Sequence, residues 1–496
     1  MKPRLFCAGR TTTGMSPGIF RLLKLALPLA MVAAALFGYV LASQSGVIRE
    51  FQAALSLSVE WLLLVCLSVW CATFIFLTFR RKDLPLTGLL VYAVAMYFIN
   101  HRASLPVSDA IILLAGVTLG RGVRFLLQSG QRPAETGAFL LGLTGLLAFA
   151  SWWHLPVAHD FYPGTRWTGL WNNPNLYGML MGAGVGLASG LLAQNLNAGK
   201  WKTESENSKA NAGGSFLRGG HLCAAQDCFR DARGLARRVF LFIATGMMAA
   251  GLLFSCSRGA WLAMTFGLLY LAWGYGKFKW QRVWPGVLAV AVVVGLCWHA
   301  TADTSPWYLK RLDFSRPSAQ HRVAAWLGAL QMMRDHPLGV GWNQAVSTYE
   351  KNYSPPAGGA TALTTNSYLM LGTELGWPGL LCFAAYVWLG FKNTLIPISA
   401  PDAVHAGLKI TPPIQPHSSL QVACRSGALV LLVAFWFDGG LFDLPTAVVF
   451  WILLELGAVG QSEKPESGKA GTAEGLTADA GTTEKKLLSQ TTMPLA

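Results

Sequence analysis

Charge is scarce in this 496-residue chain: 13% of its residues are Asp, Glu, Lys or Arg, against 53% that are hydrophobic. Water-soluble chains carry about 25% charged residues, and a mean hydropathy of +0.41 means that lipid solvates most of this one. Acidic side chains are the scarcest, 24 against 39 Lys and Arg, for a net charge of +15. In a membrane protein such an excess belongs to basic cytoplasmic loops, so nucleic acid is not expected as a partner. The nine cysteines are scattered, most in or beside apolar segments, which excludes a disulfide framework. His221, Cys223 and Cys228 lack the second cysteine pair of a closed zinc site, so neither metal nor other cofactor is expected. No internal repeat is visible, which argues against transporters built from two similar halves.

What the chain does have is apolar runs of membrane-spanning length. They fall near 21–43, 59–79, 84–100, 106–120, 136–153, 177–195, 239–255, 259–275, 283–300, 367–390, 426–437 and 441–460. The expected fold is all-α, a polytopic membrane protein of about twelve transmembrane helices. The first run is too long for a signal peptide and has no small-residue cleavage site, so it reads as a retained helix. Alternation of the spans puts most Lys and Arg on one side, including the clusters Arg80-Arg81-Lys82 and Lys277, Lys279, Arg282. Both termini are therefore expected in the cytoplasm. Residues 196–238, polar and basic, read as a flexible cytoplasmic insertion against anionic headgroups.

One segment breaks the pattern. Residues 301–366 are too polar to span and too long for a turn, and are expected as a large periplasmic loop. Within it Ser318 is placed to cap a helix running to about Asp335, which His336-Pro337-Leu338-Gly339 then breaks. Arg322, Trp326, Leu330 and Met333 share one face by spacing, which predicts an amphipathic helix on the membrane surface. The organisation expected is N-terminal transmembrane helices over 1–160, a core over 161–390, C-terminal helices over 391–460 and a disordered cytoplasmic tail over 461–496.

Cations on the outer side are few, so those beside helices call for chemistry. Arg258, in Ser255-Cys256-Ser257-Arg258-Gly259-Ala260-Trp261 between two spans, either snorkels to headgroups or meets an anion, and its planar fork suits a phosphate. Arg166 precedes Gly169-Leu170-Trp171-Asn172-Asn173-Pro174-Asn175, where Asn175 follows a proline as a helix-start element. Thr364-Thr365-Asn366-Ser367 opens the tenth span and serves equally as helix capping.

Four strings in order, "GLWNNPN", "SRGAW", "HRVAAWLGALQMMRDHPLGVGWN" and "TTNSYLMLGTELGWPGLL", resemble the O-antigen ligase and polymerase family of bacterial envelope glycosyltransferases over roughly residues 160 to 390. The resemblance implies an inner-membrane enzyme that moves a glycan from undecaprenyl diphosphate to a hydroxyl of a lipid or glycan acceptor, outside the membrane and without metal. It implies that Arg258 and Arg322 grip the donor diphosphate; Arg166, Asn172, Asn175, Thr365 and Asn366 are the expected substrate-binding residues beside them. Where that family most often carries a histidine before the asparagine, this chain has Thr365, and a threonine hydroxyl is no base near neutral pH. His336 is then the first choice as proton acceptor, His321 the second, and Glu374 sits too deep; attack with weak base assistance is the remaining route. Two other readings stay open: a transporter or flippase using the pair Asp438 and Asp443, and a relative that binds lipid-linked glycan without turning it over.

Overall fold

The computed structural model describes residues 17–38, 66, 68–73, 75–77, 79, 83–100, 108–128, 133–152, 166–171, 173–211, 220–275, 317–353, 366–392 and 416–458. The expected span at 283–300, both flanks of the 301–366 loop, Asn172, Thr365 and the tail lie outside them. Among the described residues all regular structure is helical. In chain order the helices are α1 (Pro17–Ala33, continued by a π turn Ala34–Gly38), α2 (Leu84–Asn100), α3 (Ser108–Gln128) and α4 (Pro133–Trp152). Then follow α5 (Pro174–Asn211), α6 (Gly220–Ser255), α7 (Arg258–Gly274) and α8 (Pro317–Asp335). The last are α9 (Ala345–Asn352), α10 (Ser367–Lys392), α11 (Pro416–Ala434) and α12 (Leu444–Gly457).

Among the described residues five stretches are long and apolar enough to cross a membrane: Asp109–Leu127, Pro133–Trp152, Pro174–Leu196, Gly234–Ser255 and Ser367–Lys392. Shorter apolar helices lie at Leu22–Phe37, Ser68–Leu77, Leu84–Tyr97, Ser419–Ala434 and Leu444–Gly457. The centre is α12, in which Trp451, Phe450 and Leu453 have no exposed surface. It packs on α3 and α11, while α11 lies against α5 and α7, and α2 against α10. Small residues set these approaches. A methyl on Gly190 of α5 would lie 2.5 Å from the Ala423 Cβ of α11, and one on Gly267 of α7 would lie 2.4 Å from Val430. Apolar helices in lipid gain little from burying apolar surface, so close backbone packing is what holds them together.

Three expectations change. Arg121 and Arg124, counted by sequence among cytoplasmic loop charges, are inside α3 and buried. Arg121 pairs with Asp83 at 2.8 Å and Glu455 at 2.8 Å, and Arg124 with Glu455 at 2.7 Å. Tyr386 accepts from Arg121 at 3.0 Å and donates to Glu455. Apolar residues flank both arginines, so helix α3 continues past the hydropathy edge, and the carboxylates of α12 and the α2 start offset the cost of burying them. Much of the 196–238 insertion is helical, because α5 runs on to Asn211 and α6 starts at Gly220; Lys-, Glu- and Ala-bearing sequence extends a helix already nucleated in the membrane. Finally α8 begins at Pro317, so Ser318 lies in its first turn rather than at its cap.

The face of α8 also differs from the expected one. Ala325, Gly328, Ala329, Met332 and Met333 are its buried stripe, with the Tyr349 ring of α9 over Gly328 and Met333 against Gly372 of α10. Leu330 points away, exposed with Val323 and Leu327. Small side chains let α8 dock closely, and apolar ones cover its outer edge, so both sides are apolar.

Candidate functional site

The helices α5, α7, α10 and α12 all begin at the same end of the bundle, and their first turns surround the turn Phe435–Asp443 that joins α11 to α12. Asn173 caps α5: its Oδ1 accepts from the backbone N–H of Asn175 at 2.9 Å and of Leu176 at 3.3 Å, with Pro174 opening the helix. That leaves the Asn175 amide free for tertiary contacts. Its Oδ1 accepts from Arg166 at 3.1 Å, and its side chain is hydrogen-bonded to Asp438. Asn366 caps α10, accepting from Tyr368 N–H at 3.0 Å and Leu369 N–H at 3.1 Å, so the capping reading of that segment holds. Its buried Nδ2 has no partner among the described residues. Ser367 ties α10 to the turn: its hydroxyl donates to the Asp438 carbonyl at 2.9 Å and accepts from Leu441 N–H at 3.1 Å.

The α6–α7 corner is built tightly. Cys256 adopts φ +51° and its N–H reaches Leu253 at 3.1 Å, while the Trp261 indole donates to the Leu252 carbonyl at 2.9 Å. Arg166 Nε donates to the Ser255 carbonyl at 2.9 Å, and Trp167 stacks on Phe254 at 4.5 Å. The strings "GLWNNPN" and "SRGAW" therefore meet, and Gly178 makes this possible because a side chain there would strike Ser255 and Ser257. Arg258 opens α7, and the next residue, Gly259, packs directly on Phe437, which places Arg258 beside the Asp438 turn.

Arg322, one helical turn before Trp326 on α8, reaches the same place. Trp326 meets Trp436 edge to face at 6.0 Å, Trp436 meets Tyr368 at 5.6 Å, and the charges of Arg322 and Arg166 both act on Asp438. Partial burial holds the Asp438 carboxyl above the usual carboxylate range, although the Gly439 N–H, Asn175 and the two arginines draw it down. Asp443 is pushed up to about 7, first by burial and then by the neighbouring negative charges of Asp438 and Asp109. The charges of Arg166 and Arg322 and the starts of four helices thus gather around the carboxyls of Asp438 and Asp443. Each helix N-terminus adds roughly half a positive charge, which suits the region to an anion.

The structure brings Arg166, Asn175 and Arg322 to Asp438, with Arg258 and Asn366 on the adjoining helix starts; His336 it does not bring there. His336 is exposed just past the far end of α8, roughly 20 Å along the helix from Arg322. There the motif "HPLGVGW" does structural work. Pro378 has no N–H to give the Glu374 carbonyl, and Gly376 leaves helical geometry at φ +64°. The stranded carbonyls of Thr373 and Glu374 accept from Val340 at 2.9 Å and Gly341 at 3.0 Å, and Trp377 N–H returns to the Pro337 carbonyl at 3.0 Å. Glu374 is buried and accepts from Asn343 N–H at 3.0 Å. Trp342 donates to the Ala93 carbonyl inside α2 at 2.8 Å, so the segment after α8 is wedged into the bundle rather than resting on its surface. From sequence Asp438 enters only as half of a carboxylate pair in a transporter reading; its position in "WFDGGLFDL" between two apolar runs is the available signal.

A helical membrane protein with arginines gathered at the helix starts is the class these features define. Residues 243–384 match the family model described as O-antigen ligase, and the match supports an O-antigen ligase or polymerase type of membrane enzyme in polysaccharide biosynthesis. The matched residues contain Arg258 and Arg322; Arg166, Asn175 and Asp438 lie outside them. No curated protein matches the chain.

Proposed function

We propose that the chain is an inner-membrane glycosyltransferase that moves a glycan from undecaprenyl diphosphate to an acceptor hydroxyl on the periplasmic face, independently of metal. The observation that carries this reading is the meeting of Arg166, Arg258 and Arg322 around the Asp438 turn at the starts of four helices. In this proposal the chain crosses the membrane about twelve times. Both termini lie in the cytoplasm, 161–390 is the working core, loop 301–366 faces the periplasm and 461–496 forms a tail.

The arginine forks and helix N-termini hold the donor diphosphate, a charge-assisted arrangement that strengthens as charge grows on the leaving group. The bond between the anomeric carbon and the diphosphate oxygen breaks with its electron pair going to the diphosphate. The acceptor oxygen bonds to that carbon, and its proton passes to a base. Asp438 takes this role in place of His336, because it is the carboxylate next to the arginines and its raised affinity for a proton suits a base. Asn175 and the Gly439 N–H, at 2.8 Å, orient it. Thr365 and Asn172 flank this region in sequence and complete the substrate-binding set.

The test is a deletion strain assayed for lipid-linked glycan. Accumulated polymerised glycan identifies a ligase and accumulated single repeat units a polymerase; unchanged pools, with no transfer by the purified chain, would sink the proposal.

A further inference from the structure

The inward face of α6 ends in two arginines. Leu241, Ala244, Met248 and Leu252 are buried along it, and Arg237 and Arg238, four and three residues before Leu241, continue the same face. That face packs against α4 and α5. The Arg237 guanidinium reaches α4, where a methyl on Gly137 would lie 3.7 Å from its Nη2, and Arg238 Nη2 donates to the Asn195 carbonyl of α5 at 3.2 Å. The Nε atoms of both arginines are buried, and neither has a hydrogen-bond partner among the described residues. Counted back from Ser255, Arg237 lies about 27 Å along α6 by helical rise, close to the ~30 Å thickness of a hydrocarbon core. The pair therefore stands at the headgroup level of the leaflet opposite the Asp438 turn. On its other side α6 is apolar and exposed, through Leu235, Val239, Phe242 and Ile243.

We propose that the mouth formed by α4, α5 and α6 binds the phosphate of an anionic phospholipid in that leaflet. An arginine inside a spanning segment is costly unless it snorkels to water or meets an anion. Snorkelling hydrates the whole guanidinium, whereas here each Nε is shielded from solvent and faces no acceptor. A carboxylate of the chain close by is Glu135, in the first turn of α4 two residues before Gly137. Its buried Oε2 has no hydrogen-bond partner among the described residues, and even ionised it offsets one of the two positive charges. A phospholipid supplies the rest: phosphate oxygens for the guanidinium donors, and acyl chains that lie along the exposed apolar side of α6. A soluble phosphate matches the arginines but not that apolar side, and a zwitterionic lipid brings a cation of its own to the pair. The site is separate from the Asp438 turn and independent of the transfer reaction; only its assignment to the cytoplasmic leaflet rests on the orientation proposed above.

The test uses the full-length protein in nanodiscs of phosphatidylethanolamine with phosphatidylglycerol as the anionic probe, and native mass spectrometry of the lipids that stay bound on release. The wild type should retain phosphatidylglycerol roughly fivefold or more above its share of the bilayer, the order expected for one basic residue near an anionic lipid. Arg237→Gln with Arg238→Gln should bring retention down to the bilayer share, and Arg334→Gln, which removes an exposed charge of α8, should keep the enrichment. If the glutamine variant does not fold, Arg237→Lys with Arg238→Lys, which keeps charge without the fork, should retain less phosphatidylglycerol than the wild type. In detergent, added short-chain phosphatidylglycerol should raise the melting temperature of the wild type, and inorganic phosphate at the same concentration should not. Three outcomes each overturn the lipid site: equal retention by the wild type and the arginine-pair variants, retention by the wild type at the bilayer share, or a melting shift that inorganic phosphate reproduces. The last of these assigns the arginines to a soluble phosphate instead.

Discussion

At the scale of single residues the site is a contest between one carboxylate and several cations. Asp438 makes the arginines cheaper to hold together in a partly buried place, and it loses its advantage as a base if they pull its proton affinity down too far. Burial supplies the opposing effect, and the net direction is upward. The transfer rate should therefore rise with pH through the raised Asp438 titration, and Asp438→Asn should abolish this acidic limb together with most of the rate. Asp443 is pushed up to about 7 partly by the charge of Asp438, so Asp438 ionises first and Asp443 is neutral while it does. Asp443→Asn should therefore leave the acidic limb in place. A pH profile of transfer for the three proteins checks both statements, and a limb that moves in Asp443→Asn would break this order of ionisation.

The arginines permit a sharper expectation at the same scale. Loss of one preorganised donor to a developing oxyanion typically costs about 2.7–4 kcal/mol, or 10²–10³-fold in kcat. Arg258→Ala and Arg322→Ala should each fall in that range while still inserting in the membrane. Arg258→Lys should recover only part of the loss, because an ammonium keeps charge without the fork. A complementation assay in which both alanine variants restore full glycan transfer would leave these residues as headgroup anchors.

At the scale of elements, the lock between α10 and the segment after α8 decides where Arg322 stands. Gly339 and Gly376 lie back to back: a Cβ on Gly339 would come 2.3 Å from the Glu374 carbonyl oxygen, and one on Gly376 would come 2.3 Å from that of Pro337. Both have positive φ, +87° and +64°. Gly376→Ala should destabilise by at least the strain of a forced backbone conformation, on the order of 1–3 kcal/mol, with further loss from the clash. Gly246→Ala, in α6 with open space around it, should be neutral or stabilising by up to about 1 kcal/mol. Thermal unfolding of the purified variants in detergent compares them, and equal melting temperatures for Gly376→Ala and Gly246→Ala would contradict the lock.

At the scale of the whole molecule, the ion-paired cluster of Asp83, Arg121, Arg124, Tyr386 and Glu455 ties together α2, α3, α10 and α12, while the anion site gathers the starts of α5, α7, α10 and α12. Orientation follows from basic loops, and its test is topological: reporters fused after Asn211 and in the C-terminal tail should report cytoplasm, and one at Tyr353 the opposite side. Asn211 and Tyr353 on one side would overturn the proposed arrangement of spans and the periplasmic position of Arg258.

Hydropathy and charge by themselves determined that this chain lives in a membrane and roughly where its helices run, while the resemblance of four short strings singled out Arg258 and Arg322. These are properties of contiguous residues, and a bilayer imposes them locally because every spanning segment must satisfy its own backbone. Only the tertiary structure decided which distant groups meet. Asn175 reaches Asp438 across most of the chain, Arg121 and Arg124 leave the loop count to become buried partners of Glu455, and Gly339 finds Gly376. His336 shares a motif with Arg322 yet stands a helix length away, whereas Asp438 shares none and lies beside it. The reason is geometric: a helix carries sequence neighbours apart at about 1.5 Å per residue, and close helix packing brings together side chains that no local pattern relates.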